Sequence, residues 1–206
     1  MTTATDGGGR AAASIRPAIA ELERAFTKFR VLFKRKMPLP VITIQTRGRR
    51  AALGWYAHQR WQNGKPEGAS KINICAEHLA RPTLDIAEVL LHEMVHYANA
   101  LDGIEDCSPN QYHRKSFKTR CDAIGLCCEK EGCHGWARTS LTPELASRAE
   151  AVGIDAEAFS LFRKPRHQAK VGSRMKKWCC SCTTIRCATE LDATCRKCGQ
   201  SFLRQE

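Results

Sequence analysis

One segment of the chain carries the residue types of a hydrolytic metal centre. His92 and His96 stand four positions apart, and Glu93 directly follows the first histidine, in an H-E-x-x-H pattern. Residues four apart lie on one face of an α-helix, so both imidazoles can bind the same metal ion. Glu93 lies one step round the helix, where a carboxylate can accept a proton from a metal-bound water. A five-residue pattern also arises by chance, but its position within a strongly amphipathic segment favours a zinc hydrolase site.

A catalytic zinc ion requires three protein ligands and one open position. The pattern that places a third histidine six residues after the second is absent, because that position is Asp102. His113 is the preferred candidate, since it lies on the apolar face of a segment predicted to be helical over 111–124. A core histidine bonded to a backbone carbonyl is the alternative interpretation. Glu129 or Glu131 would then supply a carboxylate ligand instead.

The elements that must hold these residues follow from apolar periodicity. Apolar residues at spacings of three and four predict an N-terminal helix over 14–36 and a long helix over 84–101 that carries the motif. Short β-branched or alternating segments predict three strands between these helices, at 41–45, 51–59 and 71–75. Because the connections between the strands are short, we expect an antiparallel sheet.

Two pairs of cysteines near the C-terminal end of the sequence predict a second metal site. The pairs are Cys179 with Cys182 and Cys195 with Cys198, each in a C-x-x-C spacing. Two such tight turns can build a closed tetrahedral zinc site on a β-hairpin, so we predict a zinc ribbon whose metal is structural. Cys180 or Cys187 can replace a member of the first pair. A redox dithiol is the competing interpretation of a C-x-x-C motif.

The total of 12 cysteines in 206 residues also bears on the cellular compartment. The first residues lack the charged and then apolar pattern of a secretory signal, which predicts a cytoplasmic protein. In a reducing compartment, clustered cysteines indicate metal binding before disulfides. A looser cluster matches no finger or ribbon spacing, so its cysteines are interpreted as packing or incidental thiols, with another metal site as the alternative: Cys127, Cys128, Cys133 and His134.

The charge of the chain predicts a polyanionic partner. Lys and Arg number 33 against 21 Asp and Glu, which gives a net charge of +12 and favours nucleic acid. Cations beside an aromatic ring are typical of single-strand binders, so we expect contacts with single-stranded DNA. The candidate contact residues are Arg174, Lys176, Lys177, Trp178 and Arg186. A solvated linker with Trp178 packed on the ribbon is the alternative. No apolar run reaches the roughly 18 residues of a membrane span, so no membrane partner is expected.

Together these motifs resemble the SprT-like metalloproteases, a group that includes the Spartan-type enzymes. The resemblance covers about residues 20–145, and the sequences that carry it are His92-Glu93-Met94-Val95-His96, Tyr112-His113, Phe117 and Ile124-Gly125-Leu126. A C-terminal zinc ribbon is also similar to the end of many members. Arg114 departs from the glycine that many members have after the third histidine.

The resemblance implies an α+β fold with a zincin-like core of an N-terminal helix, a small sheet, the H-E-x-x-H helix and a third-ligand helix. It implies that His92, His96 and His113 bind zinc and that Glu93 is the catalytic acid and base. With the composition shifts, it divides the chain into four parts. These are a disordered tail (1–12), a SprT-like metalloprotease domain (13–162), a basic linker (163–177) and a zinc ribbon (178–206).

For the Spartan-type branch, the resemblance implies cleavage of proteins that are bound or crosslinked to DNA. We therefore expect a zinc-dependent endopeptidase with one catalytic and one structural zinc ion, a protein substrate and a DNA partner. One alternative is a nucleic-acid-binding or protein-binding zinc module on a scaffold without proteolysis, and another is a hydrolase of a non-peptide bond. The intact Glu93 favours an enzyme, because a pure scaffold has no need of that carboxylate.

Overall fold

The computed structural model describes residues 13–46, 52–62, 64, 67–164 and 175–205. The predicted tail (1–12) and residues 165–174 of the predicted linker, which include Arg174, lie outside the described residues. The helices of the described part are α1 (Arg16–Phe29), α2 (Thr83–Leu101), α3 (Lys115–Ile124) and α4 (Pro143–Val152). Its strands are β1 (Val41–Gln45), β2 (Gly54–Trp61), β3 (Ala69–Cys75), β4 (Leu126–Glu129), β5 (Arg138–Leu141), β6 (Lys176–Cys179), β7 (Thr184–Cys187) and β8 (Leu203–Gln205). The predicted α+β class is confirmed.

The N-terminal helix is shorter than its periodicity predicts. α1 ends at Phe29 and continues only as a 3-10 turn over Arg30–Phe33. Lys34 then adopts a left-handed backbone with φ of 50°, which an α-helix cannot contain. The apolar spacing nevertheless continues to Phe33, because that side chain remains in the core with 5% exposure.

The sheet of the core is mixed, so the predicted antiparallel pairing is confirmed for β2 with β3 but wrong for β1. Its order is β1-β3-β2, with β3 antiparallel to β2 but parallel to β1. Short connections predicted that successive strands pair, yet β3 lies between β1 and β2. β3 takes the central place because both of its faces are buried, with Ile72 and Ile74 on one side and Asn73 on the other.

Helices α1 and α2 pack on one face of this sheet and form the main core. Phe26 of α1, Ile72 of β3, and Leu90 and Met94 of α2 belong to one cluster of fully buried side chains. Burial of one such side chain contributes roughly 1.5–3 kcal/mol. The central turns of α2 are therefore fixed by the apolar residues around the motif, and this rigidity carries over to His92 and His96.

Two further small sheets complete the described part of the chain. β4 and β5 form an antiparallel hairpin after α3, which the sequence did not predict. β6 pairs with both β7 and β8 in the C-terminal ribbon, and β6 begins at Lys176, two residues before the predicted ribbon. No helix of the described part has both the length and the apolar character required to cross a bilayer.

Candidate metal centres and cleft

Three histidine side chains converge on one point beside α2. The Nε2 atom of His113 lies 3.3 Å from Nε2 of His92 and 3.1 Å from Nε2 of His96. Two nitrogens that bind one tetrahedral zinc at about 2.05 Å are about 3.3 Å apart, so this separation fits a shared zinc ion. The predicted set of three histidines is thus together in space, with ligand atoms within 4.8 Å of one another. The alternative ligands Glu129 and Glu131 are absent from this cluster of described residues.

One aromatic side chain supports all three imidazoles. Phe117 of α3 is fully buried, and its ring centroid lies 4.7 Å from that of His92, 4.5 Å from His96 and 4.7 Å from His113. The histidines therefore stand against an apolar wall on one side. Such a wall restricts their rotation and excludes water behind the ligand atoms.

His113 is not on a helix, which corrects the predicted helix over 111–124. α3 begins at Lys115, and the residue before it, Arg114, has an extended backbone with φ of −82° and ψ of 172°. His113 itself forms bridges with Cys107 on one side and Gly135 on the other. The spacing of four residues between His113 and Phe117 suggested one helix face. His113 instead precedes the first residue of α3, although its ring does contact that of Phe117.

Each histidine is oriented through its second ring nitrogen. The Nδ1 atoms lie 3.2 Å from the Thr139 hydroxyl for His92, 3.0 Å from both Asp106 carboxylate oxygens for His96, and 3.2 Å from the His134 carbonyl for His113. An acceptor at Nδ1 places the proton there and leaves the Nε2 lone pair for a metal. The sequence analysis did not find these partners, because no local spacing connects them with the histidines that they orient.

The partner of His96 belongs to a buried polar network. Asp106 is 8% exposed and accepts a hydrogen bond from Nδ2 of Asn99 at 2.7 Å. Oδ1 of Asn99 accepts in turn from Nε of Arg120 at 3.0 Å. Burial alone would lower the pKa of His96, but the hydrogen bond to the Asp106 carboxylate raises it above its ordinary value. A carboxylate–histidine pair of this kind strengthens the imidazole as a metal ligand.

The other two histidines are held in the neutral form. Burial, followed by the proximity of His96 and His113, lowers the pKa of His92 well below its ordinary value. Burial and then His96 lower the pKa of His113 to about 4. Neutral imidazoles are the metal-binding form, so the apolar surroundings favour ligation near neutral pH.

A short hydrogen-bond relay connects His92, through Thr139, with Glu88 one turn earlier on α2. The Thr139 hydroxyl donates to Oε1 of Glu88 at 2.7 Å, so its oxygen is left to accept from Nδ1–H of His92. Burial raises the pKa of Glu88, and the hydrogen bond from Thr139 opposes that rise. The direction of the relay fixes the tautomer of His92.

His92 and His113 line a cleft of about 500 Å³, together with Glu93. Glu93 is only 5% exposed, so its carboxylate is largely removed from bulk water. Gly54, at the start of β2, allows the strand to approach closely. A Cβ atom there would lie 2.8 Å from the Asn73 carbonyl oxygen and 3.1 Å from Oε1 of Glu93. The rim carries both charge signs, since Arg138 and Glu131 also line the cleft.

The second metal site forms at the turns of the ribbon. Its sulfur atoms, all within 4.8 Å of one another, belong to Cys180, Cys182, Cys195 and Cys198. Four thiol ligands fit a closed zinc site with no open position. Backbone N–H groups of Cys198 and then Lys197 lower the pKa of Cys195 to about 6, which favours the thiolate that a metal requires.

Cys179 does not belong to this cluster, so its predicted role as a ribbon ligand is wrong. Its sulfur forms a disulfide with Cys133. Cys179 is the last residue of β6, whereas Cys180 begins the turn, with its N–H bonded to the Thr183 carbonyl at 3.0 Å. The alternation of side chains along a strand directs neighbours to opposite sides, which places Cys180 at the metal site. Cys187, the other alternative, lies beside Thr189 and outside the cluster.

The disulfide also changes the interpretation of the looser cysteine cluster. Cys133 is bonded to the ribbon, Cys128 is buried, and Cys127 is exposed. Among the described residues, these cysteines and His134 form no group that could hold a metal. The expectation of metal before disulfides is therefore wrong for Cys133 and Cys179, whereas four ribbon cysteines form a cluster that could hold a metal ion.

The predicted nucleic-acid contacts differ in their exposure. Trp178 is only 7% exposed, which fits the alternative of a packed ring and does not support stacking on bases. Lys176 forms an ion pair with Glu190. Lys177 is half-buried and Arg186 is exposed. Arg174 lies outside the described residues.

A comparison with models of protein families matches residues 22–135 of the chain to the SprT-like family. The matched part runs from α1 to the segment that contains His134. It includes the three histidines, Glu93 and Asp106. No match was found among curated proteins or among solved structures.

We expect Thr139→Val to weaken zinc binding at the histidine centre by about 10–100-fold, because His92 loses the acceptor for its Nδ1–H. Valine has nearly the shape of threonine, so the packing is retained. Chelator competition on the zinc-loaded protein measures the change. Thr119→Val, at an exposed hydroxyl that bonds only the Lys115 carbonyl of its own helix, is the matched control. Equal affinities for both variants would contradict the role of Thr139.

We expect Cys180→Ser to remove metal from the ribbon and Cys179→Ser to retain it. A serine oxygen cannot replace the thiolate in a four-sulfur site, whereas Cys179 contributes no ligand. The sulfur-to-metal absorption of the Co²⁺-loaded ribbon measures this difference. Loss of that absorption in Cys179→Ser, with Cys180→Ser unaffected, would restore Cys179 as the ligand.

Proposed function

We propose that this chain, which belongs to the SprT-like family, is a zinc-dependent endopeptidase that acts on proteins associated with DNA. The observation that carries the proposal is the convergence of three Nε2 atoms beside a cleft that His92, His113 and the buried Glu93 line. Three nitrogen ligands leave a fourth position for water or substrate, which is the arrangement of a catalytic zinc site. The four ribbon thiols leave none, so a second zinc ion there is structural.

Zinc held by His92, His96 and His113 would lower the pKa of a bound water to about 7 and polarise a substrate carbonyl. Glu93, which lines the cleft, would accept the proton of the attacking water. The carboxylic acid then donates that proton to the nitrogen of the leaving amine, which restores the carboxylate. The low exposure of Glu93 keeps competing water away from this transfer.

The edge of the sheet supports a mode of substrate binding. β2 is an edge strand, and its first residue, Gly54, lines the cleft next to Glu93. An extended peptide can add to a sheet edge through backbone hydrogen bonds. We therefore place the peptide substrate along β2, with its cleaved bond opposite Glu93. Because the hydrogen bonds join backbones, this mode of binding constrains the side chains of the substrate little.

The association with DNA rests on charge. The chain carries a net charge of +12, and Arg186 remains exposed on the ribbon. Attraction of this kind is independent of base sequence and weakens steeply with salt. Because Trp178 is buried, we base this part of the proposal on phosphate attraction and not on base stacking at that ring.

We expect Glu93→Gln to lower peptide cleavage by about 10²–10⁴-fold while zinc remains bound, because the amide cannot accept the proton. The assay uses a DNA-binding protein as substrate, and the zinc content of each variant is measured in parallel. Glu150→Gln, an exposed substitution on α4, is the control and should cleave like the wild type. Cleavage by Glu93→Gln at the wild-type rate would remove Glu93 from the mechanism.

We expect single-stranded DNA to increase cleavage of a DNA-binding substrate protein, because the protease and its substrate then occupy the same strand. The increase should disappear as salt rises, since the attraction is electrostatic. Rates measured with and without DNA over a salt series test this. A rate indifferent to DNA would leave a protease without nucleic-acid coupling. A zinc-loaded wild type that cleaves under none of these conditions would indicate a binding module.

A further inference from the structure

The ribbon contacts the core at Ser108, whose hydroxyl donates to the Ser181 carbonyl at 3.0 Å, and at one short segment beside the histidine centre, Gly132–Trp136. Cys133 of this segment is covalently bonded to Cys179 of β6, with their Cα atoms 5.7 Å apart. The next residue, His134, contacts the Gln205 side chain of β8 through its ring Nε2. Two strands of the ribbon thus hold two successive residues of the core.

The same segment holds the third histidine ligand. The carbonyl oxygen of His134 accepts from the backbone N–H of His113 at 2.8 Å and lies 3.2 Å from its Nδ1. The N–H of Trp136 donates to the His113 carbonyl at 3.1 Å. Gly135 has φ of 68°, and a Cβ atom there would lie 2.2 Å from that carbonyl oxygen. The segment and His113 are therefore in close backbone contact along three residues.

The three histidines differ in the elements of the fold that hold them in place. His92 and His96 lie in the middle of α2, whose buried residues pack in the main core. His113 lies outside the helices and strands, between Cys107 and the Gly132–Trp136 segment. Its position depends on the position of that segment. Of the three imidazoles, His113 is the one bonded directly to the segment that the disulfide holds.

We propose that the ribbon is a positioning element for the histidine metal centre. The Cys133–Cys179 bond and the Gln205 contact hold the Gly132–Trp136 segment, and the His134 carbonyl then orients His113. Neither Gln205 nor the disulfide touches a ligand atom, so both act through His113. This inference rests on the proposed function only in requiring that the three histidines bind zinc.

Because the junction includes a disulfide, reduction of the Cys133–Cys179 bond should weaken the hold of the ribbon on the Gly132–Trp136 segment. A phosphine supplies two electrons to the sulfur–sulfur bond and becomes a phosphine oxide, with oxygen taken from water. The two protons of that water convert the sulfurs to the thiols of Cys133 and Cys179. The Gln205 contact and the hydrogen bond from Ser108 to the Ser181 carbonyl then remain as noncovalent parts of the junction.

The test measures zinc affinity at the histidine centre of the full chain by chelator competition. The double variant Cys133→Ser/Cys179→Ser and the single variant Gln205→Ala are each expected to bind zinc about tenfold more weakly there, the low end for loss of a supporting partner. Cys187→Ser removes a ribbon cysteine outside both the disulfide and the metal cluster, and should leave the affinity unchanged. Treatment of the wild type with a phosphine should reproduce the double variant, which should not respond to it.

Metal in the ribbon serves as the internal check of folding. Co²⁺ bound by the four thiols absorbs through sulfur-to-metal charge transfer, and this band should persist in every variant that retains the ribbon. If the double variant loses the band, Gln205→Ala and the phosphine treatment decide the question. Unchanged affinity at the histidine centre in these folded proteins would overturn the inference and leave the proposed function intact. A wild type that binds zinc only in the ribbon would instead overturn the proposed function.

Discussion

The convergence of three imidazole nitrogens is the arrangement on which the rest of the structure depends. Three lone pairs that face one another at about 3 Å repel each other unless a cation lies between them. Such a geometry persists only when surrounding groups fix each ring. The helix α2, the Phe117 ring and the acceptors at the three Nδ1 atoms supply that restraint from different parts of the chain. A zinc ion at the common point turns the repulsion into ligation.

The supports of the three rings differ in chemistry. His96 has a buried carboxylate, His92 has a hydroxyl backed by Glu88, and His113 has a backbone carbonyl. The carboxylate raises the basicity of one ligand, while burial keeps the other two neutral. This division lets the centre bind a cation without gathering several charged imidazoles in one apolar space, which would be costly.

Strand β2 and the Gly132–Trp136 segment connect the histidine centre with the edge of the sheet and with the ribbon. The first residue of β2 lies against Glu93 because it has no side chain, which places the sheet edge beside the cleft. The Gly132–Trp136 segment joins the third ligand to the ribbon through Cys133 and His134. The sheet edge and the ribbon thus reach the histidine centre through separate elements, and each element has a glycine where backbones come close.

The sequence by itself determined the α+β class and the helix that carries His92, Glu93 and His96, and it predicted a zinc ribbon. These follow from spacing within one element, because periodicity and i,i+4 geometry are local properties of the backbone. Tertiary structure alone decided the parallel pairing of β1 with β3, the bridge at His113, and the choice of Cys180 over Cys179 at the metal. Each of these depends on which distant segments meet, as do the partners Asp106, Thr139 and His134. Pairings between residues far apart in the chain leave no periodic signal, so only packing of the whole core selects them.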